Sequence, residues 1–215
     1  MKSKIFITAT NTNIGKTYIS LNLIRLFSKL SFKVGVVKPI ETGVVDGIPS
    51  DGTALLEECR KYNPMMSNVS IDEVVPYQFQ LPASPYVAKG RETISIDKIR
   101  ESIHNIEQFC DIVIVEGAGG LLVPIERDYF MIDLIQELGY RTLLVAPSNL
   151  GSINDTLLSI DKLSQRGIDF HWTINLYRDM DTFPEITQPF YLDHFGEVPI
   201  FQNSSLEIAK KLIYR

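Results

Sequence analysis

Short apolar segments alternate with longer amphipathic segments along most of the 215-residue chain. Five short segments predict strands, at residues 4–9, 33–37, 111–115, 141–146 and 170–174. They lack the apolar/polar alternation of a strand with one solvated face, so we expect most of them to be buried on both faces. The longer segments have helical periodicity and predict helices at residues 16–30, 53–62, 97–109, 131–138 and 152–166.

The order of these elements indicates the fold class. Parallel strands separated by helices of this length are joined by right-handed crossovers. We therefore predict one α/β domain over residues 1–215, with a mainly parallel sheet and helices on both faces. Ligands of such sheets bind at the carboxyl ends of the strands. Residues 63–90, rich in Pro, Met and Ser, predict irregular structure, either a long connection or a lid.

A phosphate-binding sequence follows the first predicted strand and precedes the first predicted helix. Gly15 allows the backbone to curl, so that the N–H groups around it surround a phosphate. Lys16 is placed to reach the β- and γ-phosphates, and the Thr17 hydroxyl to ligate Mg2+. Ala9 stands where the usual motif has Gly, and five residues instead of four separate it from Gly15, so a negative φ is expected at Ala9. An incidental turn is the alternative, but the position between strand and helix favours a nucleotide-binding, P-loop NTPase-like domain.

Charged residues follow two other predicted strands. Lys38 directly follows the second predicted strand. Its ammonium group there either binds an anionic ligand or reaches solvent. Glu116 ends the third and precedes the glycine-rich residues 117–120, where P-loop proteins place a carboxylate that contacts Mg2+. Asp51 precedes a predicted helix and is either its N-cap or a metal ligand. With Thr17, the two carboxylates offer three oxygen ligands of the kind that Mg2+ prefers.

Composition, charge and the distribution of apolar residues argue against several classes of protein. Net charge is -5 with acids and bases interspersed, whereas nucleic-acid binding usually requires a clustered basic face. No apolar run approaches the ~20 residues of a membrane helix, and the first residues do not resemble a signal peptide, so we expect a cytoplasmic protein without a membrane partner. Cys59 and Cys110 form no CxxC pair, and the scattered histidines predict neither a metal cluster nor a Ser-His-Asp arrangement.

An ordered set of motifs resembles the dethiobiotin synthetase family. The matching segments are TNTNIGKT (10–17), KPIETG (38–43), SD (50–51), PASP (82–85), EGAGG (116–120), LGSIN (150–154) and GEVP (196–199). GKT alone is shared by hundreds of activities, but the ordered set is specific and spans nearly the whole chain. The resemblance implies an ATP-dependent cyclo-ligase of biotin biosynthesis. Its family converts 7,8-diaminopelargonic acid, CO2 and ATP to dethiobiotin, ADP and phosphate, through a carbamate and a carbamic-phosphoric anhydride.

The same resemblance implies roles for individual residues. Lys16 and Lys38 are the implied catalytic residues, and Thr17, Asp51 and Glu116 the implied Mg2+ ligands. Nucleotide contacts are implied for Asn13, Ile14, Gly15, Lys16, Thr17, Tyr18, Asp51, Glu116, Gly117, Ala118, Gly119, Asn175 and Pro199. Substrate contacts are implied for Thr12, Lys38, Thr42, Gly151, Ser152 and Asn154. In the family the segment at 151–154 comes from the neighbouring subunit, which implies a homodimer with active sites at its interface.

Three positions depart from the family pattern. Asn11 and Asn13 stand where the family usually has acids, and Leu176 stands where relatives often have Asp. These departures predict weaker or less selective nucleotide binding. The main alternative is a switch ATPase of the ParA/MinD kind, but such proteins carry a further lysine at the position of Asn11. A cobyrinate-type amidase is a second alternative, but those enzymes usually include a glutaminase domain for which this chain has no room.

Overall fold

A five-stranded parallel sheet forms the centre of the fold. The computed structural model describes residues 2–214. Its strands are β1 (Ser3–Ala9), β2 (Val34–Val37), β3 (Ile40–Thr42), β4 (Tyr77–Phe79), β5 (Ile112–Gly120), β6 (Pro124–Glu126), β7 (Tyr129–Phe130), β8 (Arg141–Pro147) and β9 (Phe170–Asn175). The central sheet has the order β2-β5-β1-β8-β9, and each neighbouring pair is parallel. Two two-stranded sheets, β3-β4 and β6-β7, lie outside it.

Helices connect and flank the strands. They are α1 (Lys16–Lys29), α2 (Ser50–Tyr62), α3 (Ile71–Val74), α4 (Pro85–Ala88), α5 (Ile96–Glu107), α6 (Met131–Leu138), α7 (Ser152–Gln165), α8 (Phe183–Ile186), α9 (Gln188–Phe195) and α10 (Phe201–Ile213). A 3-10 helix spans Pro64–Asn68. Within residues 2–214, no helix is both long and apolar enough to cross a membrane.

The burial of the central strands explains why their sequences lack alternation. Ile5, Phe6 and Ile7 of β1 are all fully buried, although successive residues of a strand point to opposite faces. Both faces of the sheet are therefore covered. A strand buried on both faces needs apolar residues at successive positions, so apolar and polar residues do not alternate along it. The predicted α/β fold is confirmed, and four of the five predicted central strands are confirmed with small differences at their ends. The strand predicted at 111–115 is longer than expected: β5 runs to Gly120, so Glu116 and the glycines after it lie within the strand and do not follow it.

Two local predictions are wrong. Residues 63–90 are not irregular throughout: they contain the 3-10 helix, α3, β4 and α4, and β4 pairs in parallel with β3. These elements are too short for a period to be recognised in the sequence. The helix predicted at 53–62 begins at Ser50, and Pro49 is its N-cap, so Asp51 lies in the first turn and is not the N-cap.

Asn63 connects three parts of the fold at the end of α2. Its side chain is buried, and its Nδ2 donates hydrogen bonds to Val34 O at 3.2 Å and Phe109 O at 3.0 Å. Its Oδ1 accepts a hydrogen bond from Met65 N at 3.2 Å. The side chain thus joins β2 and the turn after α5 to the start of the 3-10 helix.

Replacing Asn63 by Ala is therefore expected to lower the free energy of unfolding by about 1–3 kcal/mol, because buried carbonyls lose their donor. Urea denaturation followed by circular dichroism measures the change. Asn105→Ala, at an exposed position of α5, is the matched control and should change stability by less than about 0.5 kcal/mol. Equal stability of the two variants would contradict a structural role for the Asn63 amide.

Candidate functional site

A cleft of about 770 Å³ lies where several strands of the central sheet reach their carboxyl ends. The loop after β1, the residue after β2, the end of β5 and the end of β9 all contribute to it. Its lining residues are Thr12, Asn13, Gly15, Lys16, Thr17, Tyr18, Lys38, Ile40, Glu41, Thr42, Asp51, Ala118, Gly119, Asn175, Leu176, Tyr177, Met180 and Gln202. The sheet edge expected to bind ligands is therefore the one that holds the cleft.

The loop between β1 and α1 has the backbone conformation of a phosphate site. Gly15 is the N-cap of α1 with a φ of 94°, and Asn13 also has a positive φ, of 55°. Ala9 does not have a positive φ, as expected. Because α1 begins at Lys16 on the wall of the cleft, its unpaired N–H groups and positive dipole end lie where an anion would bind.

A buried ion pair lies beside this loop. Lys38 Nζ is 2.7 Å from Glu116 Oε1 and 3.3 Å from Asp51 Oδ2, and it also donates a hydrogen bond to Gly117 O at 3.2 Å. Lys38 and Glu116 are almost completely buried. Burial by itself lowers the pKa of Lys38, but the carboxylates of Glu116 and Asp51 outweigh it and raise that pKa above its ordinary value. Lys38 is therefore a permanently charged ammonium and does not reach free solvent.

Glu116 brings the predicted metal ligands together. Its Oε1 accepts a hydrogen bond from Thr17 Oγ1 at 3.0 Å, and its Oε2 accepts one from Ser20 Oγ at 2.6 Å. Asp51 does not contact Glu116 through a hydrogen bond, but both carboxylates accept hydrogen bonds from Lys38 Nζ. Hydroxyl and carboxylate oxygens are the hard ligands that Mg2+ prefers, so this set fits the ion. Among the described residues, no group of three or more His, Cys, Asp or Glu is suited to a metal, so a cation here would also need hydroxyl, phosphate or water oxygens.

Lys16 has a different environment from Lys38. Its Nζ donates hydrogen bonds to the carbonyl oxygens of Asn11 at 3.3 Å and Gly119 at 3.1 Å, and the side chain is buried. Burial and the nearby Lys38 ammonium lower the pKa of Lys16 to about 8, although Glu116 and Asp51 act in the opposite direction. The two lysines thus lie in one cleft and influence each other.

Several cleft residues were not predicted from the sequence. Glu41 is buried and accepts hydrogen bonds from the backbone N–H groups of Asp51, at 2.9 Å, and Gly52, at 2.8 Å, which fixes the first turn of α2. The KPIETG motif contains Glu41, but its partners become evident only once the start of α2 is known. Tyr177, Met180 and Gln202 carried no sequence signal, because they reach the cleft from a segment distant in the chain. Ser20 lies one turn after Thr17 in α1, but its contact with Glu116 becomes evident only in the folded protein.

Of the two predicted nucleotide contacts near the C-terminal end of the chain, Asn175 lines the cleft and Pro199 does not. Asn175 is 2% exposed, and its Nδ2 donates a hydrogen bond to Ile14 O at 2.9 Å. Its Oδ1 accepts a hydrogen bond from Gln202 Nε2 at 2.9 Å. Pro199 does not line the cleft, and its carbonyl accepts a hydrogen bond from Ile174 N at 2.9 Å. Both amide atoms of Asn175 therefore have partners within the protein.

Thr12 and Thr42 line the cleft, whereas the predicted contacts at the start of α7 do not. Gly151 is the N-cap of α7, and Ser152 is buried with its Oγ 3.5 Å from Tyr191 OH. The Asn154 side chain is exposed and donates a hydrogen bond to Asp155. These three residues do not contribute to the cleft of their own chain, and their substrate contacts stay a prediction.

Comparisons with known proteins decide the family. A family model described as "AAA domain" matches residues 3–206. ATP-dependent dethiobiotin synthetase BioD of Sulfurovum sp. (strain NBC37-1) is 53% identical over 189 residues, which cover 88% of this chain and 90% of that protein. The chain belongs to the dethiobiotin synthetase family. The synthetase of the same name from Wolinella succinogenes is 34% identical over 190 residues, 87% of each chain.

Solved structures with the same fold come from other P-loop proteins. A plasmid partition protein from Borrelia burgdorferi has a TM-score of 0.55 at 13% identity, covering 99% of this chain and 96% of that chain. A ParA family ATPase from Chlorobium tepidum TLS has a TM-score of 0.52 at 14% identity, covering 99% and 91%. At such low identity the likeness concerns the fold alone. It confirms the predicted P-loop NTPase-like architecture of this synthetase family member and does not favour a switch ATPase.

The pKa of Lys16 predicts that nucleotide binding takes up a proton in alkaline solution. Below about pH 8 the ammonium is already charged, whereas above it the neutral amine must gain a proton to meet a phosphate. Calorimetry of ADP binding in buffers of different ionisation enthalpy should therefore detect proton uptake at about pH 8.5 and much less at about pH 6.5. Lys16→Arg stays charged at both values and is the matched control. The same uptake in Lys16→Arg would assign the proton to another group.

Proposed function

We propose that this chain closes the ureido ring of dethiobiotin in the cytoplasm, from 7,8-diaminopelargonic acid, CO2 and ATP. The convergence of Lys16, Lys38, Thr17 and Asp51 in one cleft supports this proposal most directly. Glu116 is buried next to them and contacts Thr17 and Lys38. Such a reaction brings a carboxylated amine and a triphosphate together, and a cleft with two lysines and oxygen ligands for a cation suits both. Family membership supplies the identity of the substrates.

The proposed reaction has three steps. One amine of the substrate adds to CO2 and loses a proton, which gives a carbamate. A carbamate oxygen then attacks the γ-phosphorus of ATP, and the bond to the departing ADP breaks. The second amine attacks the carbon of the resulting anhydride, its proton is lost, and phosphate leaves as the five-membered ring closes.

Charge repulsion in the second step explains the need for two lysines. Two unit anions about 4 Å apart repel by roughly 4 kcal/mol at an effective dielectric of 20, and the γ-phosphate carries more than one charge. Lys38 is buried and permanently charged, so its ammonium can offset this repulsion without reorganisation during the reaction. Lys16, at the start of α1, is assigned to the β- and γ-phosphates.

We assign the Mg2+ site to Thr17, Asp51 and Glu116. The bound ion supplies positive charge that offsets the phosphate oxygens. Ser20 and Thr17 hold the Glu116 carboxylate by hydrogen bonds at 2.6 and 3.0 Å, so its orientation does not depend on a ligand. Glu41 fixes the backbone of Asp51, because its carboxylate accepts a hydrogen bond from Asp51 N in the first turn of α2.

A homodimer would complete the substrate site. Gly151, Ser152 and Asn154 do not line the cleft of their own chain, and Leu150 beside them is 72% exposed. These observations support contribution of residues 151–154 to the cleft of a second copy, where the start of α7 suits the substrate carboxylate. Thr12, Thr42 and the backbone of residues 117–119 are assigned to the diamine within the same chain.

Replacement of Lys38 by Gln or Ala is expected to reduce dethiobiotin formation by at least about 100-fold, because a buried group aimed at developing charge is lost. Product analysis with diaminopelargonate, bicarbonate, Mg2+ and ATP measures the rate. Lys33→Gln replaces an exposed lysine near the start of β2 and should leave the rate unchanged. If Lys38→Ala keeps most of its activity while circular dichroism shows a native fold, the proposed role of Lys38 is wrong.

Base selectivity is expected to be low. Both amide atoms of Asn175 have partners within the protein, and Leu176 offers no polar side chain to a base edge. The cleft instead presents Tyr18, Tyr177 and Met180, which contact any base without distinguishing its polar groups. Dissociation constants for ATP and GTP should therefore agree within a few-fold, which corresponds to less than about 1 kcal/mol. A thousandfold preference for ATP would contradict this view.

A further inference from the structure

The phosphate loop contains a non-glycine residue with a left-handed backbone conformation. Asn13 has a φ of 55°, in the left-handed region that glycine adopts readily and other residues adopt at a cost. Two positions later, Gly15 has a φ of 94°. Asn adopts this region more readily than other side chains, but still less readily than glycine, so contacts that fix the Asn13 peptide group add to the stability of the loop conformation.

One segment, residues 175–178 at the end of β9, donates several hydrogen bonds to consecutive carbonyls of this loop. Tyr177 OH and Arg178 Nη2 both donate to Asn13 O, the latter at 3.4 Å. Asn175 Nδ2 donates to Ile14 O at 2.9 Å. A Cβ atom added at Gly15 would lie 2.2 Å from Asn175 Nδ2, so the segment packs directly against the loop.

The 175–178 segment is itself fixed from the opposite side. Ser148 is fully buried after β8, and its hydroxyl donates a hydrogen bond to Arg178 O and accepts one from Arg178 N at 3.3 Å. The Arg178 guanidinium lies 5.0 Å from the centre of the Tyr177 ring, which keeps the two donor side chains together. The donors are thus held in position by β8 and β9 independently of any ligand.

We propose that Tyr177 and Arg178 are positioning residues for the phosphate loop: they hold Asn13 in its left-handed conformation and thereby aim the N–H groups of the loop at phosphate. The reason is the planarity of the peptide group, in which the C=O and the following N–H point in opposite directions. Fixing the carbonyls of Asn13 and Ile14 toward the 175–178 segment turns the N–H groups of Ile14 and Gly15 away from it. Those N–H groups belong to the loop that is expected to surround phosphate.

The variant Tyr177→Phe tests this directly, because it removes the hydroxyl and keeps the ring. Loss of one hydrogen bond corresponds to a decrease of about 3- to 10-fold in affinity. The inference rests on the nucleotide site of the proposed function, so the probes are ATP and inorganic tripolyphosphate, measured by calorimetry. A positioning role predicts an equal loss for both, since tripolyphosphate has no base. A loss for ATP alone would mean that the Tyr177 hydroxyl binds the nucleoside part of ATP and does not position the loop, which would overturn the proposal.

Rescue by glycine provides the second test. Because glycine adopts positive φ without strain, Asn13→Gly should restore most of the affinity that Tyr177→Phe loses. If the double variant binds tripolyphosphate no better than Tyr177→Phe, the strain at Asn13 is not what the hydroxyl controls, and the proposal fails. Tyr62→Phe, at an exposed tyrosine at the end of α2, is the matched control and should bind like the wild type.

The wild-type protein separates this inference from the proposed function. Failure of the wild type to bind either ATP or tripolyphosphate would overturn the assignment of the nucleotide site itself. Normal binding by both wild type and Tyr177→Phe would overturn only the positioning role of Tyr177. Circular dichroism melting of each variant establishes that a lower affinity comes from a folded protein.

Discussion

The ion pair between Lys38 and Glu116 is the interaction around which the site is organised. Burying two charges costs several kcal/mol per ion, and the cost is recovered only when the remaining donors and acceptors also have partners. Here Thr17 and Ser20 of α1, Asp51 of α2 and the carbonyl of Gly117 complete the set. The pair and its partners therefore connect β2 and β5 to the first turns of α1 and α2. A shift of any of these elements would leave a buried charge without one of its partners.

Close backbone approach makes this arrangement possible. A Cβ atom at Gly117 would lie 2.9 Å from Phe6 Cε1, and one at Gly120 would lie 2.7 Å from Thr10 O. The glycine-rich end of β5 thus permits close packing against β1 and the phosphate loop. The register between β1 and β5 also shifts between Ile7 and Ala9, just before that loop. Close packing therefore explains why glycines follow Glu116, in addition to any contact of their N–H groups with a ligand.

The sequence predicted the central sheet and most of the cleft because the relevant signals are local. An apolar run that leads into Lys38 or Glu116 indicates where that side chain lies, since parallel strands end at one edge. The start of α2 was misplaced by three residues, because the predicted helix began at Thr53 and Asp51 resembles an N-cap by composition alone. Tyr177 and Gln202 could not be found in this way. Their partners, Asn13 and Asn175, are 164 and 27 residues away in the chain and meet them only in the folded protein.

The two cleft lysines differ in what balances their charge, and this difference divides their roles. Lys38 has carboxylate partners and stays charged whether or not a ligand is present. The hydrogen-bond acceptors of Lys16 within residues 2–214 are carbonyl groups, which stabilise an ammonium less than an anion does. Burial and the nearby Lys38 ammonium lower its pKa, and an incoming phosphate would supply negative charge that acts in the opposite direction. In the proposed reaction Lys16 would therefore gain more from the triphosphate, whereas Lys38, which already has carboxylate partners, would act on the charge that develops during the reaction.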